Sequence, residues 1–384
     1  MNASNTAHRR HRFIFIATIV SIPVYLLSSM GWYVAPDNIW IFSVASLGFA
    51  FIWPWLLALS LWWWWSFGKP PIFLWLLLLM GWGPATATYS IGRPKPFEAK
   101  KETGALRVMQ WNCMGLPGMV KGWYEHTSER SAAVDLLNRY KPDVICLQDF
   151  NDTRGRQLYS NIDLLTDSLG YPYRVFASHP PTIHPYGKVW QGTAIFSRLP
   201  FLQQGVVPYE GFEYAGSIVW ADMDMDGKMV RVVTTHFRSM QLFSHRTFAG
   251  KKLPYFMLPD SAIIMSSSIL KKLRFFQMEH ARQATQFRAF LDTCSVPVIV
   301  AADLNTVPAN YIYRQVRGGD LQDGFLGSKT GLGNTYNYLA PHLRIDYLMH
   351  HDALEAVQWH HFEEGFFDHD HLMADHRWKK EKTK

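Results

Sequence analysis

Six short runs end apolar stretches with side chains able to bind a cation, move a proton or hold a phosphate. They are Gln110-Trp111-Asn112, Leu147-Gln148-Asp149, Thr234-Thr235-His236, Ala302-Asp303-Leu304-Asn305, Arg344-Ile345-Asp346-Tyr347 and Ala374-Asp375-His376. Singly, each has an ordinary explanation: a strand-terminal Asn forms turns, an Asp after a strand caps a helix, and a lone His is satisfied in core or surface. Together, at the ends of rigid strands, they match what in-line hydrolysis of a phosphate ester needs. That reaction wants a deprotonated water on one side, a stabilised leaving alkoxide opposite, and positive charge on the equatorial oxygens. A carboxylate, a metal and imidazoles supply these. No Ser or Cys sits in the six positions, so no covalent enzyme intermediate is expected. The glycines at 318, 319, 324, 327, 331 and 333 lack a GKS/T sequence and read as loops rather than a nucleotide cradle.

The elements that must position these groups alternate strand and helix. Strands are expected at Leu106–Trp111, Val144–Leu147, Gly192–Ser197, Ser217–Met225, Met229–Thr235, Val296–Ala301 and Arg344–Met349. Asn112 leads into a loop containing Gly115, Pro117 and Gly118. Ser128 can cap a helix with Ala133, Leu136, Leu137 and Tyr140 on one face, stopped by Lys141-Pro142-Asp143. Leu158, Ile162, Leu165 and Leu169 mark a second helical stripe closed by Gly170, and a long helix spans Ile269–Leu291.

In order and spacing, the six runs resemble the motif set of the endonuclease/exonuclease/phosphatase superfamily, the deoxyribonuclease-like fold. Its usual forms are a strand ending in Asn, then LQE, TH, GDxN, [RK]-[IL]-D-Y and SDH. Gly192–Pro200 is similar to the family's G-x-A-I-x-S-[RK]-x-P strand and turn. The resemblance runs from Leu106 to Arg377 and implies an α/β fold, a four-layer α/β/β/α sandwich of two stacked mixed sheets flanked by helices. It implies a metal site of Asn112, Asp149 and Asp375 for Mg²⁺ or Mn²⁺, hard ions suited to oxygen donors. Asp303 and Asn305 would orient the attacking water and bind a nonbridging oxygen. His236 and His376 would flank the phosphate, with Asp346 fixing the tautomer of His376. Three positions depart from the pattern: Asp149 replaces the usual Glu, and Ala302 and Ala374 begin the fourth and sixth motifs. The last strand looks curtailed before Lys379-Lys380-Glu381-Lys382.

Ahead of this domain the chain is strongly apolar. Residues 1–92 read as a membrane anchor with two or three transmembrane helices at about 13–34, 39–67 and 71–91, followed by a linker at 93–104, the catalytic domain at 105–378 and a basic tail at 379–384. Trp62–Trp65 suit a headgroup interface, and a cleaved signal peptide fits poorly because a second apolar segment follows at once. Arg9, Arg10 and Arg12 argue for a cytoplasmic N-terminus, so three spans put the catalytic domain on the extracytoplasmic side of the plasma (inner) membrane, and two spans reverse this.

The net charge of +7 is unevenly spread. The first 103 residues carry eight Lys/Arg against three Asp/Glu, and 104–378 is close to neutral. Within it, residues 238–288 hold nine Lys/Arg against two acids, interleaved with Phe243, Phe248, Tyr255, Phe256, Phe275 and Phe276. This suits a phosphate-rich or membrane-surface partner, or a solvated helix and loop. Cys113, Cys146 and Cys294 form no metal or disulfide pattern and are expected as buried free thiols. The reading favoured is a metal-dependent phosphodiesterase acting on a phospholipid headgroup or another phosphodiester. A nuclease acting on DNA or RNA ranks lower, since nonspecific strand binding needs a broader basic track. A catalytically weakened, membrane-tethered binding module is the reading from another class.

Overall fold

In the computed structural model the described residues are 3–116, 127–155, 159–184, 187–211, 216–240, 247–248, 251–252, 269–337, 343–363 and 368–380. Pro117, Gly118, Leu158, Phe243, Tyr255, Phe256 and the end of the basic tail lie outside them.

The strands are β1 (Leu106–Asn112), β2 (Val144–Arg154), β3 (Tyr173–Ser178), β4 (Thr182–His184), β5 (Gly187–Ser197), β6 (Gln203–Pro208), β7 (Ser217–Met225) and β8 (Lys228–His236). A small hairpin, β9 (Thr247–Phe248) and β10 (Lys251–Lys252), precedes β11 (Val298–Asp303), β12 (Leu321–Asp323), β13 (Asp346–His351), β14 (Leu354–Phe362) and β15 (His371–Trp378). They form two mixed sheets, ordered β14-β15-β1-β2-β5-β3, with β4 on β5, and β12-β13-β11-β8-β7-β6.

Alternation along the strands explains the stacking. In β11, Ile299 and Ala301 face inward with Val108, Cys146, Val219 and Val232 to form the core between the sheets. Val298, Val300 and Ala302 face outward and pack with Phe287 and Ala284. Those two belong to a 24-residue helix, Ile269–Asp292, whose buried Leu273, Phe276, His280, Ala284, Phe287 and Leu291 recur at helical spacing. A helix at Thr127–Tyr140 covers the other sheet through Ala133, Leu136 and Leu137. The stripe near Ile162 folds as a single turn, Asn161–Asp163, and a π-helical turn, Leu164–Ser168, before Gly170 at φ +75°.

The expected curtailed C-terminal strand is corrected by the structure. β15 is eight residues long and sits between β14 and β1, so Ala374-Asp375-His376 lies mid-strand rather than at a strand end. Both thiols in β1–β2 territory, Cys113 and Cys146, are buried, and Cys294 is half-buried.

In chain order the helices are α1 (Ala3–Met30), α2 (Pro36–Ala45), α3 (Phe49–Phe67), α4 (Ile72–Met80), α5 (Trp82–Thr88), α6 (Thr127–Tyr140), α7 (Asn161–Asp163), α8 (Ile269–Asp292) and α9 (Tyr311–Arg317). Two stretches, His8–Met30 and Pro36–Phe67, are helices long and apolar enough to cross a membrane. The second bends where Ile39 leaves helical geometry and passes through a 3₁₀ turn at Ser46–Gly48. The third segment returns alongside α3 as two short helices broken at Gly81, where a Cβ would fall 2.2 Å from the Tyr25 hydroxyl. Ring contacts fix the bundle's directions. His11 meets Phe67 and Phe13 meets Trp62 at one end, while Trp64 meets Trp75. At the other end Tyr89 donates to the Ala50 carbonyl at 2.8 Å.

That second end is built into the α/β domain. Trp32 and Ala87 belong to the domain's own outer core cluster. Ser43 donates to Gln277 Oε1 at 2.5 Å, and Asn310 Nδ2 donates to the Ser43 hydroxyl at 2.7 Å, all three buried. Ser43, inside the stretch read from sequence as a second span, is therefore packed on protein through α2 and α8, as is Pro36 just before that stretch.

Candidate active site

Parallel pairing of β1 with β2 and of β8 with β11 brings Asn112, Asp149, His236 and Asp303 to the same end of the sandwich. β13 runs antiparallel to β11, so its first residue, Asp346, lies opposite Asp303. The backbone at Asp149 is bent to aim its carboxylate: it sits at φ +48°, where the pairing of β2 with β5 slips between Leu147 and Phe150. A bulge next to a site and a left-handed non-Gly residue are both costly features retained where a side chain must be re-aimed. Asn305 shows the same strain at φ +47°.

Hydrogen bonds and ion pairs link these groups into one chain. His236 lies 3.4 Å from Asp149 through Nδ1 and 3.4 Å from Asp303 through Nε2. Asn112 Nδ2 donates to Asp303 Oδ2 at 2.9 Å, and the Asn305 amide donates to Asp303 Oδ1 at 2.9 Å. Asn305 Nδ2 donates to the Phe237 carbonyl. Asp346 is held from two sides: Gln110 Nε2 donates to Oδ1 at 2.8 Å, and His369 Nδ1 lies 2.9 Å from Oδ2. His369 Nδ1 is also 3.9 Å from Asp303 Oδ2. Gln148 ties the two sheets by donating to Thr234 Oγ1 at 2.7 Å.

The sequence reading placed Asp375 and His376 in this site, and the structure does not bring them there. Antiparallel pairing sets Asp375 against Arg107 and His376 against Leu106, at the start of β1, whereas Asn112 is at its end. Six residues of strand, roughly 20 Å at about 3.3 Å per residue, separate the two ends. Asp375 is occupied there: Arg107 binds it with Nε at 2.6 Å and Nη2 at 2.8 Å, and Gln358 donates to it at 2.7 Å. His376 is fully buried beside His350, ring centroids 5.3 Å apart, and neither ring nitrogen has a partner. Asp346 holds His369, not His376.

Asp368 and His369 are what sequence reasoning missed. Both are buried, and Asp368 Oδ1 has no hydrogen-bond partner. No local signal separates this pair from Asp375-His376; the antiparallel pairing of β15 with β1, Leu372 opposite Gln110, places the start of β15 at the site end. His179, at the end of β3, also joins the site. Its backbone donates to the Gln191 carbonyl at 2.9 Å, and Gln191 Nε2 donates to Asp149 at 3.1 Å.

Electrostatics follow from burial and neighbours. Burial, then the Asp346 charge, raises Asp303 above the ordinary carboxylate range, while His236 and His369 act the other way. For His369, burial favours the neutral ring, yet the adjoining Asp346 and Asp368 carboxylates raise it strongly. His236 is likewise raised against burial by Asp149 and Asp303. His179 is lowered by burial, which outweighs the Asp149 charge.

Asp303, Asp346 and His369 place one ligand atom each within 4.8 Å of one another and could hold a cation among them. His369 Nδ1 is already engaged by Asp346, however, and a hard divalent ion prefers oxygen. Asn112 and Asp149 carry such oxygens, and Asp368, whose charge acts on His369, has a buried, unpartnered Oδ1 that fits a ligand bringing positive charge. With carboxylates, amides and imidazoles in one cluster, the arrangement suits metal-assisted hydrolysis of a phosphoester.

Two stacked mixed sheets with this polar cluster at one end define an α/β sandwich carrying a candidate hydrolytic site. Residues 109–367, more than half of the chain, match the model of the Endonuclease/Exonuclease/phosphatase family, and the chain belongs to that family. Members of the family are divalent-metal-dependent enzymes that hydrolyse phosphoesters, and this chain is such an enzyme. No curated protein matches it. Among solved structures it is similar to the human Nocturnin catalytic domain with bound sulfate, at 16% identity over 73% of this chain and 97% of that one, TM-score 0.49. It is also similar to an endonuclease/exonuclease/phosphatase from Beutenbergia cavernae, at 21% identity over 73% and 72%, TM-score 0.47. D. rerio TDP2 complexed with single strand DNA product is 14% identical over 71% and 99%, TM-score 0.46.

Proposed function

We propose that the chain is a membrane-anchored phosphodiesterase that uses Mg²⁺ or Mn²⁺ and direct attack by water. The observation that carries this reading is the convergence of Asp149, His236, Asp303 and the Asp346–His369 pair at one end of the sheets. Asn112, Asp149 and Asp368 would hold the ion, which supplies positive charge to a phosphate oxygen and the leaving alkoxide. Asp303, raised toward neutral pH, takes the proton of the attacking water. Asn305, fixed at its strained φ, presents its amide to a nonbridging oxygen. His236 and His369, both biased toward the charged form, flank the equatorial oxygens, and Asp346 orients His369. The substrate is a phospholipid headgroup or another phosphodiester.

The anchor reading is supported by the bundle. α1, α3 and the α4–α5 segment run back and forth, so Arg9, Arg10, Arg12 and Lys69 share the end remote from the domain. Many apolar side chains on these helices face outward, among them Phe13, Val20, Phe51, Leu61 and Leu76. Three passes with that cationic end in the cytoplasm would put residues 105–378 on the extracytoplasmic face, after the 93–104 linker.

The test is hydrolysis of bis-p-nitrophenyl phosphate by detergent-solubilised protein. Turnover that requires Mg²⁺ or Mn²⁺, stops with EDTA and is lost in Asp303→Ala supports the reading. Metal-independent turnover, or none, refutes it.

A further inference from the structure

The anchor and the site share an end of the domain. Asn305 belongs to the site, and four residues later Ala309 packs with Tyr25, Phe49 and Leu74 of the helical bundle. Asn310 is locked to Ser43 and Ser46. On the other flank, Arg344, two residues before Asp346, donates to the Ala87 carbonyl at the end of α5 and to Asp323. α3 then leads away from the domain from this same end. The bundle thus leaves from the end of the sheets that carries the site, and a bilayer entered by α1 and α3 would lie on that side.

Two further elements project past the strand ends in that direction. β2 and β5 continue beyond Asp149 to the pair Arg154–Lys188, about 16 Å at roughly 3.3 Å per residue, and end in the β4–β5 hairpin. Ile183 in that hairpin is 83% exposed. α8 runs antiparallel to β11, and its first turn begins eight residues before the Gln277 that meets Ser43, about 12 Å at roughly 1.5 Å per residue. Ile269 and Leu270 there are 53% and 60% exposed, followed by the exposed Lys271, and the exposed Arg154 and Lys188 flank the hairpin. Apolar tips beside cations on a surface facing lipid suit the interface of a bilayer with anionic headgroups.

The geometry points to a lipid-borne phosphodiester of the same bilayer as the substrate, reached at the membrane surface by a site held mouth-down beside its own anchor. This rests on the phosphodiesterase reading above. Water's oxygen would bond to phosphorus as the P–O bond to one alcohol breaks. One water proton goes to Asp303 and then to solvent, and the departing oxygen takes a proton from water. Tethering to the substrate's own surface raises its effective concentration without any new contact.

The experiment uses the full chain in vesicles of phosphatidylcholine, phosphatidylethanolamine and phosphatidylglycerol, with products read by mass spectrometry. In parallel run the three deacylated glycerophosphodiesters, a single-stranded oligonucleotide, and bis-p-nitrophenyl phosphate as the measure of chemistry itself. The expected result is cleavage of at least one lipid in the protein's own vesicle at ten or more times the rate of its deacylated form. Ile183→Glu should lower the ratio of lipid to bis-p-nitrophenyl phosphate turnover threefold or more. Turnover of the chromogenic diester with no lipid cleaved, or with the oligonucleotide or soluble diesters preferred, overturns the lipid assignment and leaves the phosphodiesterase reading standing. No turnover of any diester overturns both.

Discussion

His369 Nδ1 lies 2.9 Å from Asp346 Oδ2, and the other Asp346 oxygen is held by Gln110 at 2.8 Å. The carboxylate therefore cannot rotate away, and the imidazole is presented with Nδ1 bound and Nε2 directed elsewhere. A buried pair of this kind serves orientation and charge at once.

Asp346→Asn keeps the shape and removes the charge that raises His369. We expect kcat on bis-p-nitrophenyl phosphate to fall about 10²–10⁴-fold, the usual worth of a positioned proton-bearing group. KM should change little. A rise confined to KM, with kcat unchanged, would show that the pair only binds substrate.

Asp149 should be felt in metal binding. Calorimetric titration of the solubilised protein with Mn²⁺ is expected to show binding that Asp149→Ala weakens ten- to a hundredfold or more. Asp368→Ala should do the same, while Asp375→Ala, remote from the site, should leave Mn²⁺ affinity intact in whatever fraction remains folded.

Asp375 instead stabilises the fold. Arg107 and Asp375 are 1% and 0% exposed, and breaking such a pair leaves a buried charge, at a cost of about 3–5 kcal/mol. Asp375→Asn is expected to lower the thermal midpoint strongly, and an unchanged midpoint would count against this role.

Acid should loosen the protein through His371 and His376. Burial lowers the first to about 3 and the second well below its ordinary value. An unfolded His takes up its proton near pH 6.5, whereas these folded rings stay neutral, so the unfolded state binds more protons below that pH. Stability is thus full above about 6.5 and falls as pH drops, by up to about 1.4 kcal/mol per pH unit for each ring. Thermal midpoints at pH 7 and 5 check this, and His376→Phe should lose less between them than the parent.

Three of the six runs, those of Asn112, His236 and Asp303, close their strands as a polar residue after an apolar stretch suggests, whereas Asp149 sits at a bulge within β2 and Asp346 opens β13 opposite Asp303. The strands at Ser217–Met225 and Val144 onward were visible for the same reason. The sixth failed because three Asp-His pairs stand close together, Asp368-His369, Asp370-His371 and Asp375-His376. Local pattern favours none of them; the register of β15 on β1 decides, and register is a long-range property. The second apolar segment was likewise read as uniform, since nothing local says that Ser43 finds Gln277 and Asn310.

The most direct measurement compares His369→Gln with His376→Gln by kcat/KM on bis-p-nitrophenyl phosphate with saturating Mn²⁺, each normalised to folded protein. The structure predicts a loss of about a thousandfold for His369→Gln and a change within about threefold for His376→Gln. The reverse ranking would contradict the site described above.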